Sequence, residues 1–528
     1  MDDSRAWHLT GTGYDALRLA DIPVPSPGPR EILLRQECVT ICFSAIKEIK
    51  LGAEHPRLAG RDLASDPVIL GDESVGTVME VGSELGDRFH PGEVYVIQPD
   101  LGDGRAFGYG IPGGLARYRL VPEEFFGQLL SVNEEAVRRL GFFSFPLAEP
   151  LGCVEKSCSI AFRPAPRRGG RMLLVSSFSA SKVTWGFEGD EGIPEHAVIV
   201  DPGEAFRGVV KILASHGVDI CSSDAAHEGD LFDDIIIAAG DDRELPELFE
   251  NTKDFLDRNG TLSVIGNSNG SLKLPVDVGA VHYQGHIILG SSGCDISSCY
   301  RVRPSYSPRK GDTVLLLGAG GPMGQMFVLW MLGNEETRPA RVICSDVDDK
   351  RLDALHKLGS SSPERLEFRV VDARKSTTAE FLSGVEVDYL VILCPVLDAV
   401  KECVPFLAEG AVLNCFAGMK GAVLPLGVDA ITSRRLRIVG FSGLDTPAMK
   451  SALSRIVGGD VDVSPVVAAV GGMDAGRDAL EACGGGTYPG KIVIYNGIDA
   501  PLRPCADLTG GDGWSGEFER RFLAGELG

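Results

Sequence analysis

Three short segments in the first third of the chain carry side chains that could bind a metal ion. They span Thr40–Lys47, Leu70–Gly76 and Leu147–Cys153. Together they supply a thiol and several carboxylates, a combination that can hold Zn²⁺ with one position left open. An alcohol or carbonyl oxygen bound at that position would be polarised. Each segment alone is equally compatible with a buried thiol or a surface turn, so the interpretation depends on the three together.

A glycine-rich turn, Gly318–Gly324, is the second chemical signal. It follows the apolar segment Val314–Leu317 and precedes the apolar segment Gln325–Leu332, which predicts a strand, a tight turn and a helix. Backbone N–H groups at such a turn can approach a pyrophosphate at the helix N-terminus. The turn has one residue more than the usual Gly-x-Gly-x-x-Gly spacing, and a turn that binds nothing is the alternative. The predicted dinucleotide-binding residues of this turn are Gly318, Gly320, Gly321, Pro322, Met323 and Gly324.

An acidic residue stands where a dinucleotide site needs one. Asp346 ends the next predicted strand, 22 residues after Gly324. It is expected to accept a hydrogen bond from a ribose 2′-hydroxyl group. Because its charge would repel a 2′-phosphate, the sequence favours NAD over NADP.

The segment Gly260–Gly293 recurs at Gly410–Gly443 with a constant offset of 150 residues. Nine positions keep the same residue without a gap, which indicates two copies of one folding unit. Upstream of the first copy, Met172–Ser181 contains no glycine and has serines where a pyrophosphate would need bare backbone. We therefore expect a cofactor in the second copy and a structural role for the first, with a second cofactor site as the alternative.

Composition excludes several classes of protein. The length of 528 residues with 44% hydrophobic and 24% charged residues is typical of a globular protein with two or three domains. A net charge of −23 argues against a nucleic-acid partner. No apolar run reaches the ~18 residues of a membrane helix, and the first residues do not resemble a signal peptide. The 13 scattered cysteines, without a C-x-x-C pair, favour reduced thiols in a cytoplasmic protein.

The predicted fold class is α/β, with a partly open β-barrel followed by two tandem doubly wound parallel sheets. Short strand-like segments broken by Gly and Pro indicate the barrel, and apolar strands alternating with amphipathic stretches indicate the parallel sheets. The predicted domains are the barrel at residues 1–165, completed by 445–496, a degenerate nucleotide-binding unit at 168–298, an NAD-binding unit at 308–444, and a tail at 497–528 without an assigned role.

These landmarks, in this order, resemble the medium-chain dehydrogenase/reductase superfamily of zinc alcohol and polyol dehydrogenases. The resemblance covers residues 1–165 and 311–495 and implies that the barrel is GroES-like and the parallel sheets are Rossmann-type. It is carried by Cys42–Ser44, Gly71–Gly82, Pro91–Val94, Gly113–Tyr118, Glu149–Leu151, Gly311–Gly320 and Gly490–Ile494. Three further segments, Gly320–Gly324, Ser345–Arg351 and Leu413–Gly418, are most similar to the L-sorbose-1-phosphate reductase branch.

The resemblance implies roles for individual residues. Cys42, Asp72 and Glu149 would be the zinc ligands, although the family usually has histidine at the position of Asp72. Two carboxylates and a thiolate would weaken the Lewis acidity of the ion, so a metal-free site is the alternative. The implied catalytic residues are Ser44 as the hydroxyl that passes the substrate proton, Lys47 as a relay and Glu73 as a neighbouring carboxylate, and Arg351 is implied in cofactor binding.

The resemblance also implies a reaction. We expect a cytoplasmic oxidoreductase that interconverts a secondary alcohol and a ketone on a small-molecule polyol, sugar or sugar phosphate, with NAD(P) and Zn²⁺. For a phosphate group, Arg117, Arg119 and Lys156 are candidates, with an ordinary solvated charge as the alternative for each. The alternatives are a zinc-free reductase of the same fold, acting on a quinone or an activated alkene, and a silent dinucleotide-binding or scaffold protein.

The repeat predicts how the two nucleotide folds meet. In this superfamily such domains commonly pair through their last strands across a dimer. The matching last strands here, His286–Leu289 and Arg437–Val439, lie on one chain. We expect them to pair internally as a pseudo-dimer, which would cover two exposed sheet edges, and the chain could also form a homo-oligomer.

Overall fold

The computed structural model describes residues 4–223, 229–266, 272–360, 362–363 and 365–527. Within them, no helix is long and apolar enough to cross a membrane. The chain forms two compact units. The barrel unit contains the described residues up to Glu155, Gly321–Asn334 and the described residues from Leu444 onward, and the sheet unit contains Lys156–Gly320 and Glu335–Gly443.

The strands and α-helices are numbered in chain order. The strands are β1 Ser4–Leu9, β2 Leu17–Ile22, β3 Glu31–Thr40, β4 Val68–Ile69, β5 Glu73–Val81, β6 Val94–Ile97, β7 Tyr118–Pro122, β8 Leu129–Val132, β9 Arg171–Ser176, β10 His196–Val200, β11 Asp219–Ser222, β12 Phe232–Ala238, β13 Leu256–Ile265, β14 Lys273–Asp277, β15 Ile287–Ser291, β16 Thr313–Leu317, β17 Arg341–Asp346, β18 Glu367–Asp372, β19 Val387–Ile392, β20 Leu407–Asn414, β21 Val423–Gly427, β22 Arg437–Val439, β23 Val467–Gly472, β24 Lys491–Tyr495 and β25 Arg503–Pro504. The helices are α1 Phe43–Leu51, α2 Glu134–Leu140, α3 Ala148–Cys158, α4 Arg207–Ser215, α5 Leu245–Thr252, α6 Val278–Gln284, α7 Ser297–Tyr300, α8 Pro322–Gly333, α9 Asp349–Ser360, α10 Thr378–Phe381, α11 Leu397–Cys403, α12 Val428–Thr432, α13 Thr446–Gly458, α14 Gly476–Gly485, α15 Cys505–Thr509 and α16 Gly516–Leu523.

The barrel unit is built around one long strand. β3 pairs antiparallel with β5, β7 and β24, so it joins the N-terminal strands to the last strands of the chain. In this register Thr40, the last residue of β3, lies opposite Glu73 on one side and Val493 on the other. The C-terminal segment therefore reaches the same end of the sheet as the segments that carry the predicted ligands.

The sheet unit contains a single 12-stranded sheet in the order β11-β10-β9-β12-β13-β15-β22-β20-β19-β16-β17-β18. Each half has the 3-2-1-4-5-6 strand order of a Rossmann fold, and inner strands such as β9, β16 and β19 are buried on both faces, as is typical of parallel sheets. The predicted fold class is confirmed, but the two predicted sheets are one continuous sheet.

The two halves meet at their sixth strands. β15 and β22 pair antiparallel with Ile288 opposite Ile438, and β14 and β21 pair antiparallel with Pro275 opposite Pro425. Both pairs are residues 150 positions apart, so each residue faces its own counterpart in the repeat. This is the self-complementary pairing of a two-fold interface, within one polypeptide.

The chain after the first strand differs between the two halves. β16 is followed after four residues by helix α8, whereas the chain after β9 runs through residues 177–195 without a helix before β10 begins. A pyrophosphate site in a Rossmann fold uses the N-terminus of that helix. No helix N-terminus of this kind follows β9 within residues 177–195.

The tail packs onto the barrel unit. The Trp514 side chain is fully buried and its Nε1 donates a hydrogen bond to the Tyr495 hydroxyl at 2.9 Å. Glu519 is 2% exposed, and its carboxylate oxygens accept hydrogen bonds from the backbone N–H groups of Phe142 and Phe143 at 2.7 and 2.9 Å. These contacts hold the 3₁₀ turn Phe142–Ser144, which lies just before α3 in the chain.

Glu519 makes the stability of the protein depend on pH. Burial, opposed by the two backbone N–H groups, raises the pKa of Glu519 from 4.5 to about 7. The contribution of Glu519 to the stability of the folded state is complete below pH 4.5 and is lost as the pH rises through 7. Relative to Glu519→Gln, the free energy of unfolding of wild type should therefore fall by about 3 kcal/mol over this window. Thermal unfolding midpoints from pH 4.5 to 8 measure the difference, with the exposed Glu517→Gln as control. A difference that does not change with pH would contradict this assignment.

Candidate active site

The first turn of α1 presents a thiol and a hydroxyl side by side. Cys42 is the N-cap residue, and its Sγ accepts a hydrogen bond from the Ser44 N–H at 3.5 Å. Ser44 Oγ donates to Asp72 Oδ2 at 2.7 Å. The residue before Asp72 is Gly71, with φ of +104°, a conformation that a residue with a side chain rarely adopts. Glycine at this position therefore allows the turn that brings Asp72 to the Ser44 hydroxyl.

Glu73 forms a buried ion pair with Lys491. The Lys491 Nζ lies 2.5 Å from Glu73 Oε1, and the Thr40 hydroxyl donates to Glu73 Oε2. The Glu73 and Lys491 side chains are 1% and 5% exposed. Both oxygens of the predicted neighbouring carboxylate are thus engaged, and Glu73 holds Lys491 beside the thiol and the other acids.

Helix α3 supplies the third acid. Glu149 lies in its first turn and is 8% exposed. Cys153 follows four residues later on the same helical face, and its Sγ donates to Glu149 Oε1 at 3.7 Å. Burial, then the charges of Glu73 and Asp72, raises the pKa of Glu149.

Negative charge accumulates where these elements meet. Burial, then the Glu73 charge, raises the pKa of Asp72 to about 6, against the lowering effect of the Ser44 hydroxyl. Burial and the charge of Asp72 raise the pKa of the Cys42 thiol, and Glu149 adds to that shift. Burial alone would lower the pKa of Lys491, but the charges of Glu73 and Cys42 raise it by more. The Lys491 ammonium group therefore stays charged. Cys42, Asp72 and Glu149 therefore lie within electrostatic reach of one another around one lysine.

The donor chemistry of this cluster fits a divalent cation. Asp72 Oδ1 is buried and has no hydrogen-bond partner, although its second oxygen is held by Ser44. A buried carboxylate oxygen without a partner is costly, and a cation would satisfy it. Among the described residues, however, no three His, Cys, Asp or Glu side chains are arranged as a formed metal centre. The structure thus brings the predicted ligands into one neighbourhood without closing them around a common point.

The second half of the sheet contains the predicted dinucleotide turn. Gly318 follows β16 directly, and Gly320 N donates to Asp346 Oδ2 at 2.8 Å. A Cβ atom at residue 320 would lie 2.3 Å from the Arg351 Cβ, so only glycine fits between Asp346 and Arg351. Asp346 ends β17 and its other oxygen accepts from Val347 N at 2.8 Å. The acid is therefore fixed against the turn, as a ribose-binding acid in a Rossmann fold is.

Further along the chain, Gly321 is the N-cap residue of α8. Its backbone is extended, and a Cβ atom there would have no neighbour within 4 Å. Pro322 occupies the first position of the helix, where its missing N–H is not needed, and Met323 and Gly324 complete the first turn. The N-terminus of a helix of 12 residues favours an anion.

The corresponding turn of the first half is filled by its own side chains. Asp201, directly after β10, accepts hydrogen bonds from the N–H groups of Ala205 and Phe206 at 2.8 Å and from the Ser176 hydroxyl. Ser179 donates to Glu244 at 2.5 Å, and its carbonyl oxygen lies where a side chain at Gly240 would be. This packing uses the groups that a nucleotide would need.

Of the basic residues considered for a phosphate group, Arg119 is the most constrained. It is 2% exposed, and its guanidinium lies 4.4 Å from the Phe107 ring centroid and donates to Ser74 Oγ at 3.1 Å. Lys156 Nζ lies 5.0 Å from the Phe441 ring centroid, and Arg117 is half-buried. Arg119 serves the core of the barrel unit.

Sequence reasoning missed three groups near the site. Lys491 lies in a segment that carries the family resemblance and Cys153 ends one of the three segments with possible metal ligands, but without the fold neither could be placed beside Glu73 or Glu149. Glu48, on α1, was also missed. Its only sequence signal is the four-residue spacing from Ser44, which places both residues on one helical face.

Comparisons with known proteins agree with this geometry. Residues 28–131 match the family described as Alcohol dehydrogenase GroES-like domain. The chain is 34% identical to L-sorbose 1-phosphate reductase of Klebsiella pneumoniae over 509 residues, covering 94% of this chain and 90% of that protein. It is 37% identical to human sorbitol dehydrogenase over 120 residues, covering 22% of this chain and 29% of that protein. The fold is similar to an alcohol dehydrogenase of Escherichia coli CFT073 solved with NADH, with a TM-score of 0.53, 13% identity, and coverage of 94% and 100% of the two chains.

The Glu73–Lys491 pair gives a stability prediction. Lys491→Met leaves Glu73 buried without its counter-charge, so we expect it to cost about 3–5 kcal/mol and lower the thermal unfolding midpoint by several degrees. Glu73→Gln combined with Lys491→Met should recover much of this loss. Differential scanning calorimetry measures both, with Arg477→Met as control because its ion pairs with Asp15 and Glu481 are exposed. Equal midpoints for Lys491→Met and the control would show that the pair contributes little.

Proposed function

Because this chain belongs to the medium-chain dehydrogenase/reductase superfamily and is an alcohol dehydrogenase-like oxidoreductase, we propose that it interconverts a secondary alcohol and a ketone on a polyol, sugar or sugar phosphate. The observation that carries the proposal is the hydrogen bond from Ser44 Oγ to Asp72 Oδ2, beside the Cys42 thiol and within a buried acidic cluster. Oxidation of the alcohol transfers a hydride to a nicotinamide and releases one proton. Reduction of the ketone runs in reverse.

The chain's own residues provide a route for the proton. Ser44 Oγ takes the proton of the substrate hydroxyl and passes its own proton on. Its hydrogen bond of 2.7 Å to Asp72 Oδ2 holds the Ser44 hydroxyl in place for this transfer. Lys47, exposed on α1 three residues after Ser44, can deliver the proton to solvent.

We propose Cys42, Asp72 through its unpartnered Oδ1, and Glu149 as the zinc ligands. When bound, the ion would supply Lewis-acid polarisation of the substrate oxygen. The buried negative charge around a single lysine supports this proposal, because a cation would offset the repulsion that raises the pKa of Asp72 and Glu149.

Two cationic side chains, Arg57 and Lys47, support a phosphorylated substrate. Tyr109 lies near the acidic cluster, since the charges of Asp72, Glu48 and Cys42 all raise its pKa in addition to burial. The Arg57 guanidinium lies 4.8 Å from the Tyr109 ring centroid and the His55 ring 5.5 Å from it. Lys47 is close enough to His55 for its charge to contribute to the lowered pKa of His55, after burial and Arg57. Arg57 also pairs with Asp100, which would hold its guanidinium in place for a phosphate.

For the cofactor we propose NAD, held by the turn Gly318–Gly324 with Asp346 on the ribose. The supporting observations are the helix that begins at Pro322 and the carboxylate of Asp346 fixed by Gly320 N. We propose no cofactor for the first half, because Asp201 already accepts from the Ser176 hydroxyl and Ser179 already donates to Glu244.

A substrate and metal assay tests the reaction. Wild type purified without chelator should contain stoichiometric zinc and oxidise polyols or their phosphates with NAD. Ser44→Ala should lower kcat by 10²–10⁴-fold because the proton loses its carrier. Ser44→Thr keeps the hydroxyl and serves as control, and Cys42→Ala should lose the metal.

The outcomes separate the alternatives. Turnover of a quinone or activated alkene by a zinc-free protein would favour the metal-free reductase. Binding of NADH without turnover of any alcohol, ketone or alkene would favour a silent dinucleotide-binding protein. Unchanged kcat in Ser44→Ala would refute the proton route.

The cofactor assignment gives a separate prediction. Asp346→Ala should lower kcat/KM for NAD by about 10–100-fold and shift the NAD to NADP preference toward NADP, since it removes one charged hydrogen-bond acceptor and a repulsive charge. Steady-state kinetics with each cofactor measure the shift. Asp349→Ala, a nearby exposed acid, is the control and should change neither value. An unaltered preference in Asp346→Ala would remove Asp346 from the site.

A further inference from the structure

Glu48 is a buried acid that the fold does not use. Its side chain is 2% exposed, and its Oε2 is buried without a hydrogen-bond partner. The nearby Arg57 forms its ion pair with Asp100 instead. An unpaired buried carboxyl group costs on the order of 1–3 kcal/mol, so its presence calls for a partner from outside the chain.

The position of Glu48 places it beside the reaction centre. Ser44 and Glu48 lie four residues apart on α1, so their side chains point from the same helical face with Cβ atoms about 5–6 Å apart. Ser44 is bonded to Asp72, whose Oδ1 is the second buried oxygen without a partner in this neighbourhood. Burial, then the Asp72 charge, raises the pKa of Glu48 to about 9, and both charges act on Tyr109. Two unsatisfied carboxyl oxygens thus flank the Ser44 hydroxyl.

The chemistry of Glu48 suits a hydroxyl group. A carboxyl group accepts a hydrogen bond from a hydroxyl in either protonation state, and in the protonated state it also donates one. A polyol or sugar has a second hydroxyl group close to the carbon that is oxidised. The distance between the two substrate hydroxyl groups is of the same order as the distance between the Ser44 and Glu48 side chains. A simple alcohol would leave the Glu48 carboxyl unpaired.

We propose that Glu48 binds a second hydroxyl group of the substrate and selects polyols and sugars over simple alcohols. This inference rests on the proposed alcohol and ketone chemistry and deepens it by naming a residue that determines specificity. Sites built to bind a substrate hydroxyl reject the analogue that lacks it more strongly than apolar pockets reject a size difference.

Two substrates that differ by one hydroxyl test the proposal, namely 2,3-butanediol and 2-butanol. For wild type with NAD, kcat/KM should favour the diol. Glu48→Leu should lower kcat/KM for the diol by 10–100-fold and leave the value for 2-butanol unchanged or higher. Glu48→Gln, which keeps an acceptor oxygen, should fall between them, and the exposed Glu54→Gln should match wild type.

Binding separates this inference from the proposed function. Titration calorimetry of the NAD-loaded protein with each alcohol reports the hydroxyl contact even if neither is oxidised. Loss of the preference for the diol in Glu48→Leu, with metal content equal to wild type, supports the assignment. The assignment is overturned if Glu48→Leu and Glu48→Gln keep the wild-type preference for the diol over 2-butanol, or if Glu48→Leu changes only the thermal stability of the protein. Loss of bound metal from Glu48→Leu would also overturn it.

Discussion

A buried ion pair between Lys491 and Glu73 is the interaction on which the candidate site depends. Glu73 begins β5 and Lys491 begins β24, the last long strand, and both strands flank β3. Without the ammonium group, two further carboxylates and two thiols would share a buried region with no positive charge at its centre. The chain must therefore return to the barrel through β24 before the acidic cluster can be stable.

The sequence identified elements whose signal is local. The apolar run Val314–Leu317 predicted strand β16, which begins one residue earlier at Thr313, because a parallel strand buried on both faces is apolar along most of its length. The edge strands β11 and β18 escaped prediction, since they are polar and partly exposed. The residues Cys42, Ser44 and Asp72 could be named from the family resemblance of their segments, whereas Lys491 and Glu48 became visible only once the register of β24 and the face of α1 were known.

The two halves of the sheet show how one topology can lose a ligand site. Each half has an aspartate just after or at the end of its second strand, Asp201 and Asp346. In the second half the acid binds a glycine N–H and a helix of 12 residues follows. In the first half the acid binds a serine and the N–H groups of its own loop, and no helix follows β9 within residues 177–195. The two halves therefore share a strand order but differ in the chain that follows their first strand.

The seam between the halves has a consequence for how this protein can vary. In a two-fold homodimer, a substitution next to the axis is present in both subunits and must suit its own copy. Here Pro275 and Pro425 are encoded separately, and their neighbours already differ: Lys273 lies opposite Gly427, whereas Asp277 lies opposite Val423. A homodimer would be obliged to repeat one of these pairings on both sides. Because the two copies are joined in one polypeptide, a substitution can change one side of the seam and leave the other unchanged. The two sides of this interface can therefore carry different residue pairs, which an exact two-fold axis does not allow.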